Sequence, residues 1–223
     1  MPIPAFDGKT FLAFVDISGF KQLMKKRQDA IEALNVFYSK GYNIINDTKS
    51  LSGIMISDCA IIFVNDQSIS CEQSLKILLK AIDKLNRELL KCPNPIMLTT
   101  SIAFGEFNYR NKIEFARIIK NPIMGSSYID AFYDNDSGKP RIQPGECRIL
   151  IKNLPADIDI HSFEKMKKTN KHWKYYWMVS SNDDIDEFED AFNDSYQLKY
   201  RGMLDALKAA IRKRPGSDPF LIV

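Results

Sequence analysis

Two aspartates interrupt stretches of sequence that are otherwise built to be buried. Asp16 lies near the end of TFLAFVDI (residues 10–17), and Asp58 stands between SGIMIS and CAIIFV. An unpaired carboxylate in an apolar strand is costly, so each needs a cation, hydrogen bonds or water. Two carboxylates that neighbouring strands bring together offer the oxygen donors that Mg²⁺ or Mn²⁺ prefer and leave positions open for phosphate oxygens. Two acids at solvated strand ends are the other reading of the same residues. The step Ser18-Gly19-Phe20 favours the metal reading. A glycine at a strand-to-helix turn lets backbone amides approach a phosphate, and the start of the following helix favours negative charge.

The elements that must position these residues are legible in outline. TFLAFVDI reads as a buried strand entering a tight turn. A helical pattern runs from Phe20 to about Ile45, with Asp29 as a point of interruption or recapping. Residues 51–64 read as two short strands meeting at Ser57-Asp58, and 69–91 as a helix with one leucine-rich stripe. Pro93 and Pro95 end that helix, and strands are expected over 96–107 and 112–118. Gly125 precedes a short helix to about Asp134, and 135–146, rich in Gly, Pro and Asp, reads as a surface loop. CRILIKNL and WKYYWMV (173–179) read as strands, the acidic run 183–190 as a solvated helix face, and 196–212 as a basic helix. The order β-α-β-β-α-β followed by further elements predicts an α+β fold: a ferredoxin-like core with additional C-terminal strands and helices, and helices on one face of a largely antiparallel sheet. The catalytic core is expected over residues 1–155, with 156–223 as an extension packed on the same domain.

Composition narrows the class of function. Hydrophobic residues make up 45% and charged residues 26% of the 223-residue chain, enough for a sizeable core. The net charge of +3 is too small an excess to argue for DNA or RNA binding. The N-terminal MPIPAFDGKTF has no signal- or transit-peptide pattern, and no apolar run approaches the ~20 residues that span a bilayer. Cys59, Cys71, Cys92 and Cys147 form no CxxC pair, which argues against a zinc site and fits a reducing compartment. A cytoplasmic protein is expected. His161 and His172 are the only histidines and belong to no nucleophile-base motif, so a hydrolytic triad is not indicated. Trp173, Tyr175, Tyr176 and Trp177 read as core or dimer packing.

FVDISGF, ISDCAIIF, TTSIAFGEF, IMGSSYIDAFYD and ECRILIKNL, taken in order, resemble the successive motifs of class III nucleotidyl cyclases over roughly residues 10–151. The resemblance implies that Asp16 and Asp58 hold two divalent ions, with the backbone carbonyl of Ile17 as a further ligand. It implies triphosphate contacts from Ser18 and the amides near Gly19 and Phe20. The implied reaction is attack of the ribose 3′-hydroxyl on the α-phosphate with release of pyrophosphate, driven by in-line positioning and charge neutralisation. It also implies a homodimer with sites at the interface.

The departures from the family pattern are specific. Its purine-reading positions, occupied by Lys and Asp in adenylyl cyclases and by Glu and a small polar residue in guanylyl cyclases, fall on Ile54 and Pro122. Neither side chain can read a purine edge. The ribose-orienting Asn falls on Ile129 and the transition-state Arg on Tyr133, which is neutral at pH 7. A cation must then come from elsewhere, and Lys139, Arg141, Lys199 and Arg201 are the candidates. A small cyclase without purine readers is similar to the bacterial pyrimidine cyclases of Pycsar antiphage systems. That resemblance implies conversion of CTP or UTP to cyclic CMP or cyclic UMP, a messenger for a separate cyclic-nucleotide-binding effector. Phe14, on the same strand face as Asp16, would shape the pocket for the smaller base or simply be core. A catalytically degenerate domain that binds a nucleotide or partner, and a purine cyclase using ATP or GTP, are the alternatives.

Overall fold

Strand β1 (Phe6–Ile17) is apolar on both faces, and the fold is organised around it. Phe11, Ala13, Val15 and Ile17 point into one core, and Leu12 and Phe14 into another on the opposite face, as the two-residue alternation of a strand requires. The computed structural model describes residues 5–110, 112–115, 118–120, 122–195 and 199–213. After β1 come α1 (Phe20–Leu23), α2 (Arg27–Asn46), β2 (Leu51–Ile56), β3 (Cys59–Val64), α3 (Cys71–Leu90) and β4 (Leu98–Tyr109). The β2-β3-β1-β4 order, antiparallel throughout, is the expected ferredoxin-like core. The larger core lies between this sheet and α2 and α3, with Phe37, Leu75, Leu78, Ile82 and Leu89 fully buried. Ser70 caps α3 by accepting from the Gln73 amide at 3.2 Å, a side-chain partner for one otherwise unbonded donor.

A short hairpin, β5 (Lys112–Phe115) and β6 (Ile118–Lys120), then β7 (Ile123–Met124) and helix α4 (Ser126–Ser137) lead to β8 (Cys147–Leu150). β8 lies parallel to β4, which demands a crossover connection. That crossover lays α4 against β1 and β4, where Ala131 enters the second core. β9 (Met166–Lys168) and β10 (His172–Tyr175) extend the same sheet beyond β8, and α5 (Ile185–Ser195) and α6 (Lys199–Arg212) pack into the larger core through Ile185, Phe188, Leu204 and Leu207.

Several local expectations are corrected. Helices cover both faces of the sheet, because the parallel β8 needs α4 on the second face. The helix expected from Phe20 to Ile45 breaks at Met24–Lys26. Lys25, Lys26 and Arg27 put three cations where a helix start favours negative charge, and Asp29 supplies the acid in the first turn of α2. The strand expected over 112–118 is a hairpin. The helix after Gly125 continues past Asp134 to Ser137. WKYYWMV is a strand only to Tyr175; the Tyr176 amide turns to the Lys165 carbonyl and the Trp177 indole N–H donates to the Gly145 carbonyl at 2.8 Å. Among the described residues, no helix is long and apolar enough to cross a membrane.

Candidate active site

The antiparallel register sets Asp16 on β1 opposite Cys59 on β3, one residue from Asp58. The Ile17 amide donates to the Asp58 carbonyl at 3.0 Å, which ties the tip of the β2–β3 hairpin to the end of β1. Ser57 turns that hairpin with φ 54°. Both aspartates open onto one cleft of about 790 Å³, lined also by Phe14, Ser18, Gly19, Thr99, Phe132, Asn135, Asp136, Arg141 and Tyr200. Burial pushes the Asp16 carboxyl up to about 7, and the nearby Asp58 and Asp136 push in the same direction. A carboxylate so placed lacks a compensating positive charge. The Ser18 hydroxyl is also buried, at 6% exposure, and has no hydrogen-bond partner among the described residues. A hard-oxygen donor set crowded with negative charge, beside an orphaned hydroxyl, suits a divalent cation carrying phosphate oxygens.

The turn after β1 is built for close approach. Gly19 is left-handed, with φ 76°, and precedes Phe20 at the start of α1. Amides at a helix start have no intrahelical acceptor. Ser18 N–H donates to the Met97 carbonyl at 2.9 Å, and Met97 N–H donates to the Tyr200 hydroxyl at 3.2 Å. Helix α6 is thereby fastened to the same turn. Phe14 is 6% exposed and meets the Phe132 ring edge-on, with centroids 5.3 Å apart; it lines the cleft and belongs to the second core at once.

Helix α4 and the loop behind it form the far wall. Asn135 bridges two strands: its amide donates to the Phe14 carbonyl at 3.4 Å and its oxygen accepts from Thr99 at 3.0 Å. Next to it Asp134 is held in a buried cluster. Its Oδ2 accepts from Arg148 Nε and from Ser101, both at 2.7 Å, and its Oδ1 lies 2.8 Å from His172 Nε2. Arg148 is fully buried and also donates to the Asp134 and Pro140 carbonyls, at 2.6 and 2.8 Å. Burial alone would raise the Asp134 carboxyl, but hydrogen bonds from His172, Arg148 and Ser101 and the Arg148 charge hold it at about 2.

The other sequence candidates scatter. Of the four cations, Arg141 lines the cleft. Lys139 opens into a separate hollow beside Arg148 and His172. Arg201 is exposed on α6 and faces Asp205 at 3.7 Å. The Lys199 side chain lies outside the described residues. Ile54 packs half-buried against the second core, Pro122 accepts a hydrogen bond from the Arg110 amide, and Ile129 and Tyr133 project outward from α4, 48% and 60% exposed. None of these four lines the cleft of its own chain. Asp136, Asn135 and Tyr200 were not anticipated. Asn135 and Asp136 follow Phe132 by three and four residues, the spacing that puts side chains on one helix face; with α4 assigned to its full length, that signal would have found them. Among the described residues no three His, Cys, Asp or Glu side chains are grouped so as to hold a metal ion by themselves, so a metal here would rest on the Asp16–Asp58 pair with backbone and substrate oxygens.

No family model matches the sequence, and no characterised protein matches it either. Solved structures do share the fold. The guanylyl cyclase Cya2 is 15% identical, with a TM-score of 0.57 over 77% of this chain and 93% of its own. The catalytic core of a rhodopsin-guanylyl cyclase with converted specificity, in complex with ATPαS, is 12% identical, with a TM-score of 0.55 over 77% and 97%. A dimeric guanylyl cyclase domain of a RhoGC fusion protein from the aquatic fungus Blastocladiella emersonii is 10% identical, with a TM-score of 0.54 over 78% and 97%. The chain therefore has the α+β fold of class III nucleotidyl cyclase catalytic domains.

Proposed function

We propose that this chain is a metal-dependent nucleotidyl cyclase that converts CTP or UTP to the 3′,5′-cyclic monophosphate and pyrophosphate. The observation that carries the reading is the Asp16–Asp58 pair, brought together by the β1–β3 register and lining one large cleft in a cyclase fold. Bound divalent ions, Mn²⁺ or Mg²⁺, would supply Lewis acidity at the triphosphate, held by Asp16, Asp58 and the carbonyl of Ile17. Ser18, Gly19 and Phe20 would receive the β- and γ-phosphates through the orphaned hydroxyl and the first amides of α1. Orientation of the ribose would bring its 3′-oxygen in line with the α-phosphorus; that P–O bond forms as the bond to the β-phosphate oxygen breaks.

The pyrimidine preference rests on the resemblance, which sets Ile54 and Pro122, side chains with no hydrogen-bonding group, at the base-reading positions, where they would meet a base only from a second copy, and on the Phe14–Phe132 aromatic wall of the cleft. A homodimer would bring the exposed Ile129 and Tyr133 of α4 against a second copy, and the product would act on a separate cyclic-nucleotide-binding effector in antiphage defence. Incubation of the purified protein with each of the four ribonucleoside triphosphates and Mn²⁺, with products identified by mass, tests the reading. Cyclic CMP or cyclic UMP is the expected product. A cyclic purine product refutes the pyrimidine preference, and no cyclic product from any of the four refutes the cyclase. Tyr133, a neutral residue where the family pattern has Arg, favours a second reading, a domain that binds a triphosphate without turnover; binding without product would support it.

A further inference from the structure

The cleft that holds Asp16, Asp58 and Asp136 contains one cationic side chain among its described lining residues, Arg141. A triphosphate brought to three carboxylates needs positive charge beyond what metals supply at one end, and a guanidinium matches phosphate oxygens in a fixed two-pronged geometry. Arg141 has no carboxylate partner among the described residues, so its charge is available to a ligand.

Its backbone is anything but loose. The loop between α4 and β8 reads in sequence as a Gly/Pro-rich surface segment, yet it is tied to the fold at Pro140 and Gly145 and braced within itself at Gln143. The Pro140 carbonyl accepts from the buried Arg148 at 2.8 Å, and the Arg141 carbonyl accepts from the Gln143 side chain at 3.1 Å. Ile142 is buried at 6% exposure, and the Gln143 amide donates to Glu146 at 2.8 Å. Gly145 donates to the Leu98 carbonyl at 2.7 Å and accepts from Trp177. The same Arg148 grips Asp134, so one buried guanidinium fixes both the end of α4, which presents Asn135 and Asp136, and the loop that presents Arg141. The backbone that carries Arg141 is thereby fixed at the cleft wall, and its exposed side chain has only its own rotamers to settle on meeting a ligand.

We propose that Arg141 is the phosphate-binding cation of this cleft, that it serves the Asp16–Asp58 pair of its own chain, and that Arg148 is the positioning residue that holds it there. The assignment of phosphate as ligand rests on the cyclase reading above, so the test separates the two. Binding of inorganic tripolyphosphate with Mn²⁺, followed by calorimetry, does not depend on any reaction. Arg141→Ala, at an exposed position that leaves the core intact, is expected to weaken that binding by ~10-fold or more, and Arg141→Lys to restore part of it as a point charge. Turnover of the nucleotide that the wild type accepts should fall by ~10²–10³ in Arg141→Ala, the range seen when one charge-stabilising donor is removed. Asp16→Asn and Arg141→Ala chains mixed in one preparation should recover no activity. Unchanged tripolyphosphate binding in Arg141→Ala overturns the proposal whether or not the protein turns over, and recovery in the mixed preparation overturns the same-chain assignment. A wild type that makes no cyclic product but binds tripolyphosphate through Arg141 refutes the cyclase and upholds the cation.

Discussion

Replacing Arg148 by Met removes one member of a buried ion pair. The Arg148 side chain is 1% exposed and its partner Asp134 7%, and the guanidinium makes hydrogen bonds to both Asp134 carboxylate oxygens and to the Asp134 and Pro140 carbonyls. Methionine replaces the aliphatic stem but ends near the Nε position, and it leaves Asp134 buried with only Ser101 and His172 as side-chain partners. Removing one member of a buried pair costs about 3–5 kcal/mol, a large share of the roughly 5–15 kcal/mol that holds a domain folded. The pH dependence gives the cause a signature. In the wild type Asp134 sits at about 2, below its ordinary 3.8; its ionisation therefore contributes stability that is complete above 3.8 and lost as pH falls through 2. Without Arg148 the burial that raises this carboxyl is opposed by less, so its pKa climbs and the charged form becomes a penalty that grows with pH. The difference between wild type and Arg148→Met should accordingly be largest near neutral pH and narrow as pH is lowered toward 4. Urea unfolding followed by circular dichroism at about pH 7.5 and about pH 5 measures it. A loss below ~1 kcal/mol at neutral pH, or one of equal size at both, would refute the charge argument. Adding Asp134→Leu removes the stranded charge, and such apolar replacement of a buried pair often recovers or exceeds the original stability. Recovered stability with tripolyphosphate binding still weakened would separate positioning of Arg141 from mere structural support.

Other outcomes follow from the same geometry. Asp16→Asn should abolish turnover yet raise the Tm of metal-free protein at pH 8, because a carboxyl held up at about 7 destabilises progressively as pH rises above its ordinary value; the gain should shrink as pH is lowered toward 4 in scanning calorimetry. Gly19→Ala forces a side chain onto φ 76° and should cost about 1–2 kcal/mol by denaturant unfolding while weakening tripolyphosphate binding. Leu207→Ala, at a fully buried position of α6 whose methyl groups abut Gly145, should cost about 3 kcal/mol in the same assay. Ile129→Asp with Tyr133→Asp should give a monomer by sedimentation if α4 is the dimer face; an unchanged sedimentation coefficient would remove that face from consideration.

How much of this was legible in the sequence depends on range. The βαββαβ order was legible because each element carries its own signal: the leucine stripe of α3, the aromatic and β-branched run of β1, the acidic break at Ser57-Asp58. That neighbouring strands could bring Asp16 and Asp58 together was also legible, but the register that does so, Asp16 opposite Cys59, was not. What sequence could not supply was the parallel placement of β8 beside β4, made by residues more than forty positions apart. That one pairing puts α4 on the second face, brings Asn135 and Asp136 to the cleft and pulls Arg141 in with them. Asp134 and Arg148 carried no motif, and His172 read as an isolated imidazole, because their chemistry exists only where α4, β4, β8 and β10 converge. Tyr200 went unseen for a similar reason: nothing in a basic helix announces that its tyrosine will accept a hydrogen bond from the start of β4.

The placement of Arg141 also changes what a second copy of the chain would be for. Tyr133 points away from its own cleft and Arg141 into it, so the carboxylates, the glycine turn and the proposed phosphate-binding arginine are gathered by a single polypeptide. A partner is then not required for charge. The cleft remains large and open on one side, and phosphoryl chemistry in a site exposed to water forfeits the strengthened electrostatics that exclusion of solvent provides. Ile129 and Tyr133, one turn apart on α4, 48% and 60% exposed, form the face that a second copy would cover in the proposed homodimer. In the proposed homodimer one chain would supply the charges of each cleft and its neighbour would cover the outward face of α4, which is the arrangement that an outward neutral tyrosine and an inward arginine suit.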